Sequence, residues 1–392
     1  MARLEFAEGA FSRLRVPVRA EDAEPGRDIL TDLDILAIDV DPRLRVSRST
    51  LECKGEKGEA KEADRLFCLA GLRQYLAIQR AVLVRPTVSR RGRALARRLD
   101  IGIMDISTLQ HRESAHEWLP ETFAHLGGEA CLAAEARTDS QLKGLPELSS
   151  DVITFLRHDA LLASPYAILG ALGNLGRAIE RRGVLPEPTG QVIAGHALIA
   201  LLLAALQDAA QLDLVPADVL RRRTERALTA GNPDDDHILD VLNRADDLVQ
   251  FMMDRVHRAY IEAGAARQEI HPIKLREIIE TPPGFLSSYI DLVERFRTNP
   301  EVSRHILRTA ELTCFDALLD GDAWTQPAFD HLFTAEHQGL LLAAIATLGQ
   351  VATKQIAQRL SPIANISFDR SAGAAPDRHT RAHKGGTQSN LF

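Results

Sequence analysis

The chain has 392 residues, 45% of them hydrophobic and 26% charged, with a formal net charge of -7 at pH 7. That length accommodates two or three cores, and the acidic balance excludes bulk attraction to nucleic acid, so any contact with phosphates must come from local basic patches. Cys53, Cys68, Cys131 and Cys314 form no CxxC pair, which argues against a disulfide framework or a zinc site and for a reducing cytoplasmic setting.

The opening residues, MARLEFAEGAF, lack the charged-then-apolar layout of a signal peptide. Residues 4–14 read as a short helix and 15–19 as a strand, followed by an acidic, glycine-containing stretch at 21–28. The next run, TDLDILAIDVDPRLRVSRSTLECK over 31–54, carries the chemistry. Its apolar β-rich half, 33–40, is joined by the turn residues Asp41, Pro42 and Arg43 to a second strand over 45–54. Side chains on a strand alternate faces, so Glu52 and Lys54 share one side while Leu51 and Cys53 take the other. Asp34, eighteen residues before Glu52, can pair beside it across an antiparallel hairpin. Two converging carboxylates and an amine suit a hard divalent cation with a positive group near a phosphate or water. Asp32 is an alternative ligand on the same strand face, ranked below Asp34 because Asp34 directly opens the apolar run.

A helix with Leu66, Leu69, Leu72 and Leu76 at helical spacing comes next, then a short apolar strand at 81–84. The basic helix SRRGRALARRLD and a strand at 101–106 follow. Arg85, Arg90, Arg91, Arg93 and Arg97 stand out against the overall acidity as candidate DNA phosphate contacts. Residues 111–144 read as a linker that includes His111 and His116.

From about 145 to 365 the pattern is all-helical, with runs at 189–212, 217–230, 235–263, 273–280, 284–297, 300–319 and 335–360, punctuated by prolines. The uncharged run at 192–206 is shorter than a membrane span and reads as a buried helix, so no membrane partner is expected. Gly170, Gly173 and Gly176 follow no strand and read as close helix packing. The Asp234-Asp235-Asp236-His237 run opens a helix, where carboxylates complement the dipole. This region is expected to select substrate, form a homo-oligomer or bind a partner. Residues 366–392 are rich in small and polar residues and read as a disordered tail.

The Asp34, Glu52, Lys54 set, with DILA and LECKG around it, resembles the PD-(D/E)xK nuclease superfamily, especially its Mrr-like and Holliday-junction-resolvase-like branches. The likeness covers about the first 110 residues, and Leu33 stands where that pattern commonly has proline. It implies an α/β restriction-endonuclease-like αβββαβ core ahead of the all-α region, and the element order read from periodicity agrees. It also implies a deoxyribonuclease using Mg²⁺ or Mn²⁺, held by Asp34, Glu52 and the Cys53 backbone carbonyl. By the same resemblance Lys54 would position or help deprotonate the attacking water, or neutralise the pentavalent phosphorane, and the expected products are a 5′-phosphate and a 3′-hydroxyl. Families of this fold often add a glutamate from the first helix, which here would be Glu5 or Glu8. The terminus Gln388-Ser389-Asn390-Leu391-Phe392 resembles the bacterial sliding-clamp binding motif through Gln388, Leu391 and Phe392, with Ser389 in place of the usual leucine. DNA repair or phage defence is the setting such domains suggest. The alternative is a nuclease fold kept as a non-catalytic scaffold.

Overall fold

The computed structural model describes residues 1–20, 29–53, 62–116, 118–230, 236–264 and 283–368. The chain opens with α1 (Ala2–Ala7) and runs through β1 (Phe11–Arg19), β2 (Ile29–Val40), β3 (Val46–Cys53), α2 (Glu62–Tyr75), β4 (Arg80–Val84), α3 (Arg90–Arg98) and β5 (Gly102–Met104). The strands form one five-stranded sheet in chain order, antiparallel from β1 to β3 and parallel from β3 to β5. This mixed sheet carries the element order expected from the sequence. The helix expected over 4–14 is shorter: Gly9 adopts φ +118°, a conformation other residues seldom take, and the chain enters β1 at Phe11.

Residues Ile35 to Ile38 of β2 are all buried, as a strand covered on both faces requires. A small core of Leu66 and Leu69 from α2, Ala81 and Leu83 from β4, Ala96 from α3, and Ile101 lies between these two helices and the parallel strands. The rest of the sheet joins the helices in one continuous core.

The helical part comprises α4 (Ile106–Glu113), α5 (Glu129–Leu142), α6 (Ser150–Arg157), α7 (Pro165–Arg182), α8 (Thr189–Gln211), α9 (Ala217–Ala230) and α10 (Asp236–Glu262). It continues with α11 (Leu286–Thr298), α12 (Pro300–Ser303), α13 (Ile306–Phe315), α14 (Ala335–Val351) and α15 (Lys354–Arg359). The expected run at 273–280 and the tail beyond 368 lie outside the described residues, as do Asp234 and Asp235; Asp236 starts α10.

Helix α8 is the axis of this region. Its apolar run is longer than the sequence suggested and long enough to cross a membrane, yet 94% of its most apolar window is buried under other helices. Such enclosure identifies a core helix. Close packing at Gly176 of α7 is borne out, since a Cβ there would sit 2.2 Å from the backbone oxygen of Ala352. Gly170 and Gly173 have no such neighbour.

The 111–144 span, expected as a linker, is instead folded: it ends α4, buries Phe123, Leu126 and Cys131, and forms α5. The buried face of α5 is Cys131, Ala134 and Thr138, residues too small to give a hydrophobic periodicity. Buried residues of the sheet and of the helices thus share one continuous core. Phe6, Phe123 and Phe329 meet edge-on, with centroids 4.9, 6.0 and 5.2 Å apart, and pin the start of the chain to its last third.

Candidate active site

The β2–β3 hairpin registers Ile35 against Leu51, and one step further along the same register sets Asp34 opposite Glu52. Directly opposed residues of an antiparallel pair project to the same face, with Cβ atoms about 5 Å apart. Asp34 Oδ2 accepts a hydrogen bond from the Cys53 backbone N–H at 2.8 Å, which fixes its carboxylate at the end of β3. Glu52 Oε1 lies 3.5 Å from the Arg65 guanidinium of α2. Both acids are half-buried, whereas Asp32 is exposed. Lys54 lies outside the described residues.

Glu52 and Cys53 pair with Leu83 and Val84, so the acids stand at the carboxyl ends of parallel strands, the edge where open α/β sheets bind ligands. Arg85 leaves β4 at this edge, half-buried and 3.8 Å from Glu62. The N-cap of α3 is built there too: Ser89 Oγ accepts from Gly92 N–H at 2.9 Å and donates to Glu62 at 2.6 Å. Helix α3 buries Gly92 and Ala96 and turns Arg90, Arg91, Arg93 and Arg97 outward. Arg93 is paired with Asp105 at 2.7 Å and holds that carboxyl well below its ordinary range. Arg90, Arg91 and Arg97 have no ion pair among the described residues.

Glu5 and Glu8 serve a different contact. Arg112 donates to Glu5 Oε1 and to Glu8 Oε1, each at 3.0 Å, and His116 Nε2 is 3.4 Å from Glu8. Glu8 acts electrostatically on Asp39, which is five residues along β2 from Asp34. Glu8 is thus engaged by Arg112 and His116. The donors at the Asp34–Glu52 pair are hard oxygens of the kind Mg²⁺ takes, so the residues present fit such an ion.

A second cluster was not anticipated from the sequence. His125 precedes α5, Glu135 lies on it and His196 lies on α8; their ligating atoms fall within 4.8 Å of one another, the spacing of a potential metal site. His196 Nε2 donates to Glu135 Oε1 at 2.6 Å, and His125 Nε2 is 3.1 Å from the same oxygen. His125 Nδ1 is 2.8 Å from Glu311 of α13. Arg13 of β1 pairs with Glu311 at 2.6 Å, and Arg157 of α6 pairs with Glu135 at 2.6 Å.

Burial and Arg13 push the His125 imidazole down, but Glu311 and Cys131 outweigh them and hold it up at about 10. It is thus an imidazolium donating from both nitrogens. Burial raises the Glu311 carboxyl, yet Arg13 and His125 prevail and hold it at about 2. With two guanidiniums and an imidazolium beside two carboxylates, the cluster already carries its cations in protein groups, and we read it as a buried ion network joining β1 to the helices. The signal that could have disclosed it is the lone His196 inside the apolar α8 run. No protein-family model matches the chain, and the searches of curated proteins and solved structures likewise returned no match.

Proposed function

We propose that the chain is a Mg²⁺-dependent deoxyribonuclease whose site is built on Asp34, Glu52 and Lys54, with Mn²⁺ as a substitute ion. The observation that supports this reading is the hydrogen bond from the Cys53 N–H to Asp34 Oδ2 at 2.8 Å, which brings Asp34 to the end of β3 beside Glu52, where β3 runs parallel to β4. A bound Mg²⁺ supplies an acidified water and neutralises charge on the phosphate. Asp34, oriented by the Cys53 N–H, and Glu52 present the carboxylate oxygens, with the Cys53 carbonyl alongside. Lys54 orients the water or takes its proton. Arg85, Arg90, Arg91, Arg93 and Arg97 hold the DNA backbone beside this edge.

The test is cleavage of supercoiled, linear, branched and single-stranded DNA with Mg²⁺ or Mn²⁺, for the intact chain and for Glu52→Ala and Lys54→Ala. Loss in both variants with the fold retained supports the assignment, and cleavage retained in both sinks it.

A non-catalytic binding module is the second reading, favoured by Arg65, a protein cation already placed against Glu52. It predicts DNA binding without cleavage. We further propose that Gln388, Leu391 and Phe392 tether the chain to a sliding clamp, as a short terminal peptide docking into a pocket would. Unchanged clamp retention after deletion of residues 388–392 would remove that link.

A further inference from the structure

Arg308 of α13 is 3% exposed, and none of the described carboxylates reaches ion-pairing distance of it. Its Nη1 donates to the Phe6 carbonyl at 2.9 Å, its Nη2 is 2.7 Å from His305 Nδ1, and its Nε has no hydrogen-bond partner. The guanidinium also stacks over the Phe6 ring at 5.5 Å, but these partners are neutral, and a buried charge is costly unless it is paired, so the site favours a counter-anion. Burial lowers its affinity for the proton only to about 10, so it remains a cation at neutral pH.

Beside it lies a cavity of about 130 Å³, lined by Phe6, Leu119, Phe329 and Arg308, with His116 and the exposed His331 also on its wall. Burial and nearby positive charge push His305 down to about 3 and His337 to about 4 and also lower His331, so these imidazoles are neutral at pH 7 and Arg308 supplies the buried cation. His331 and His337 each feel Arg308, and Arg304 Nε donates to His305 at 2.9 Å. The acids nearby are otherwise engaged or act only through space: Glu8 on Arg112 and His116, Glu301 on Arg304, Glu336 on His337, Asp330 on His331, and Asp39 on Arg308 without contact.

We propose that this cavity binds a small tetrahedral oxyanion of the phosphate class, with Arg308 as its buried cation and His331 and His116 at its wall. A cavity of about 150 Å³ takes a benzene-sized ligand, so a five-atom oxyanion fits here and a whole nucleoside does not. Planar guanidinium donors match oxyanion edges, and charge-assisted hydrogen bonds in a partly dry site are strong. The site belongs to the α1–α13 contact, has neither Asp34 nor Glu52 in its lining, and does not depend on the nuclease reading.

The test is calorimetric titration of the full chain with inorganic phosphate and, in a second arm, thymidine 5′-monophosphate. Saturable phosphate binding is expected, weakened at least about tenfold in Arg308→Gln, since one charge-assisted hydrogen bond contributes about 1.5–3 kcal/mol. His331→Ala, at the exposed wall and harmless to folding, is expected to weaken it about two- to fivefold. Tighter binding of the monoester identifies the ligand as a terminal phosphoryl group, and preference for the free ion identifies phosphate itself. Absence of saturable binding in both arms overturns the proposal, as does wild-type affinity in a folded Arg308→Gln or unchanged affinity in His331→Ala.

Discussion

At the end of β3, Asp34 and Glu52 stand half-buried at a sheet edge, one accepting from a backbone N–H and the other 3.5 Å from Arg65. Around His125 the charges are more numerous: Arg13, Glu311 and His196 are buried, Glu135 and Arg157 are partly buried, and each is within hydrogen-bonding or ion-pairing reach of another member. The two clusters use the same residue types for different ends. The rim pair lies at one edge of the sheet, whereas the network ties charges of β1 to charges of the helices. The distinction is one of stability cost, and mutation separates the two.

The largest effect is expected at Glu311. Its removal leaves Arg13, 5% exposed in its side chain, as an uncompensated buried charge, so Glu311→Ala should lose about 3–5 kcal/mol of unfolding free energy in urea titration. A loss under about 1 kcal/mol would break the contrast.

Acid should act on the same region next. Burial and neighbouring charge hold His196 near 4 and His158 near 3, so both stay neutral in the folded chain where the unfolded chain takes up protons below about 6.5. The unfolded state binds more protons in that window, and stability therefore falls as pH drops from about 6.5 to 4. Glu311 adds a further loss as pH falls from its unfolded value toward about 2. His125, held up near 10, stabilises fully below about 6.5 and loses that contribution as pH rises toward 10. Melting temperatures across the pH range should show both limbs, and a flat profile from pH 6.5 to 4 would contradict the neutral assignment of His196 and His158.

At the sheet edge the effects shrink. Asp34→Ala removes the acceptor for the Cys53 N–H at a half-buried position and should cost only about 0.5–1.5 kcal/mol by the same titration. Arg91→Ala and Arg97→Ala, on the exposed face of α3, should shift stability by less than about 0.5 kcal/mol. Each should nevertheless lower the salt dependence of DNA binding by about 0.9 in log–log slope if it meets a phosphate.

The rim cluster was legible in the sequence because its members are neighbours in a hairpin: alternation on β2 and β3 and a short turn are enough to align Asp34 with Glu52. The order of elements along the chain, the buried face of α2 and the α8 core were legible for the same reason, since each rests on local periodicity. The ion network was not, because Arg13, His125, Glu135, Arg157, His196 and Glu311 come from segments up to about three hundred residues apart and only packing unites them. Small residues hid α5, and Glu8 looked like a ligand until Arg112 and His116 were seen to hold it.

The central claim is that the rim pair performs hydrolysis, and the most direct measurement is Mg²⁺-dependent DNA cleavage by the intact chain beside Glu52→Ala, with folding checked by thermal melting. The account predicts cleavage by the intact chain and its loss in the variant, at a melting temperature close to the original. Equal cleavage by a well-folded Glu52→Ala chain, or none by the intact chain on any DNA form with either ion, would contradict it.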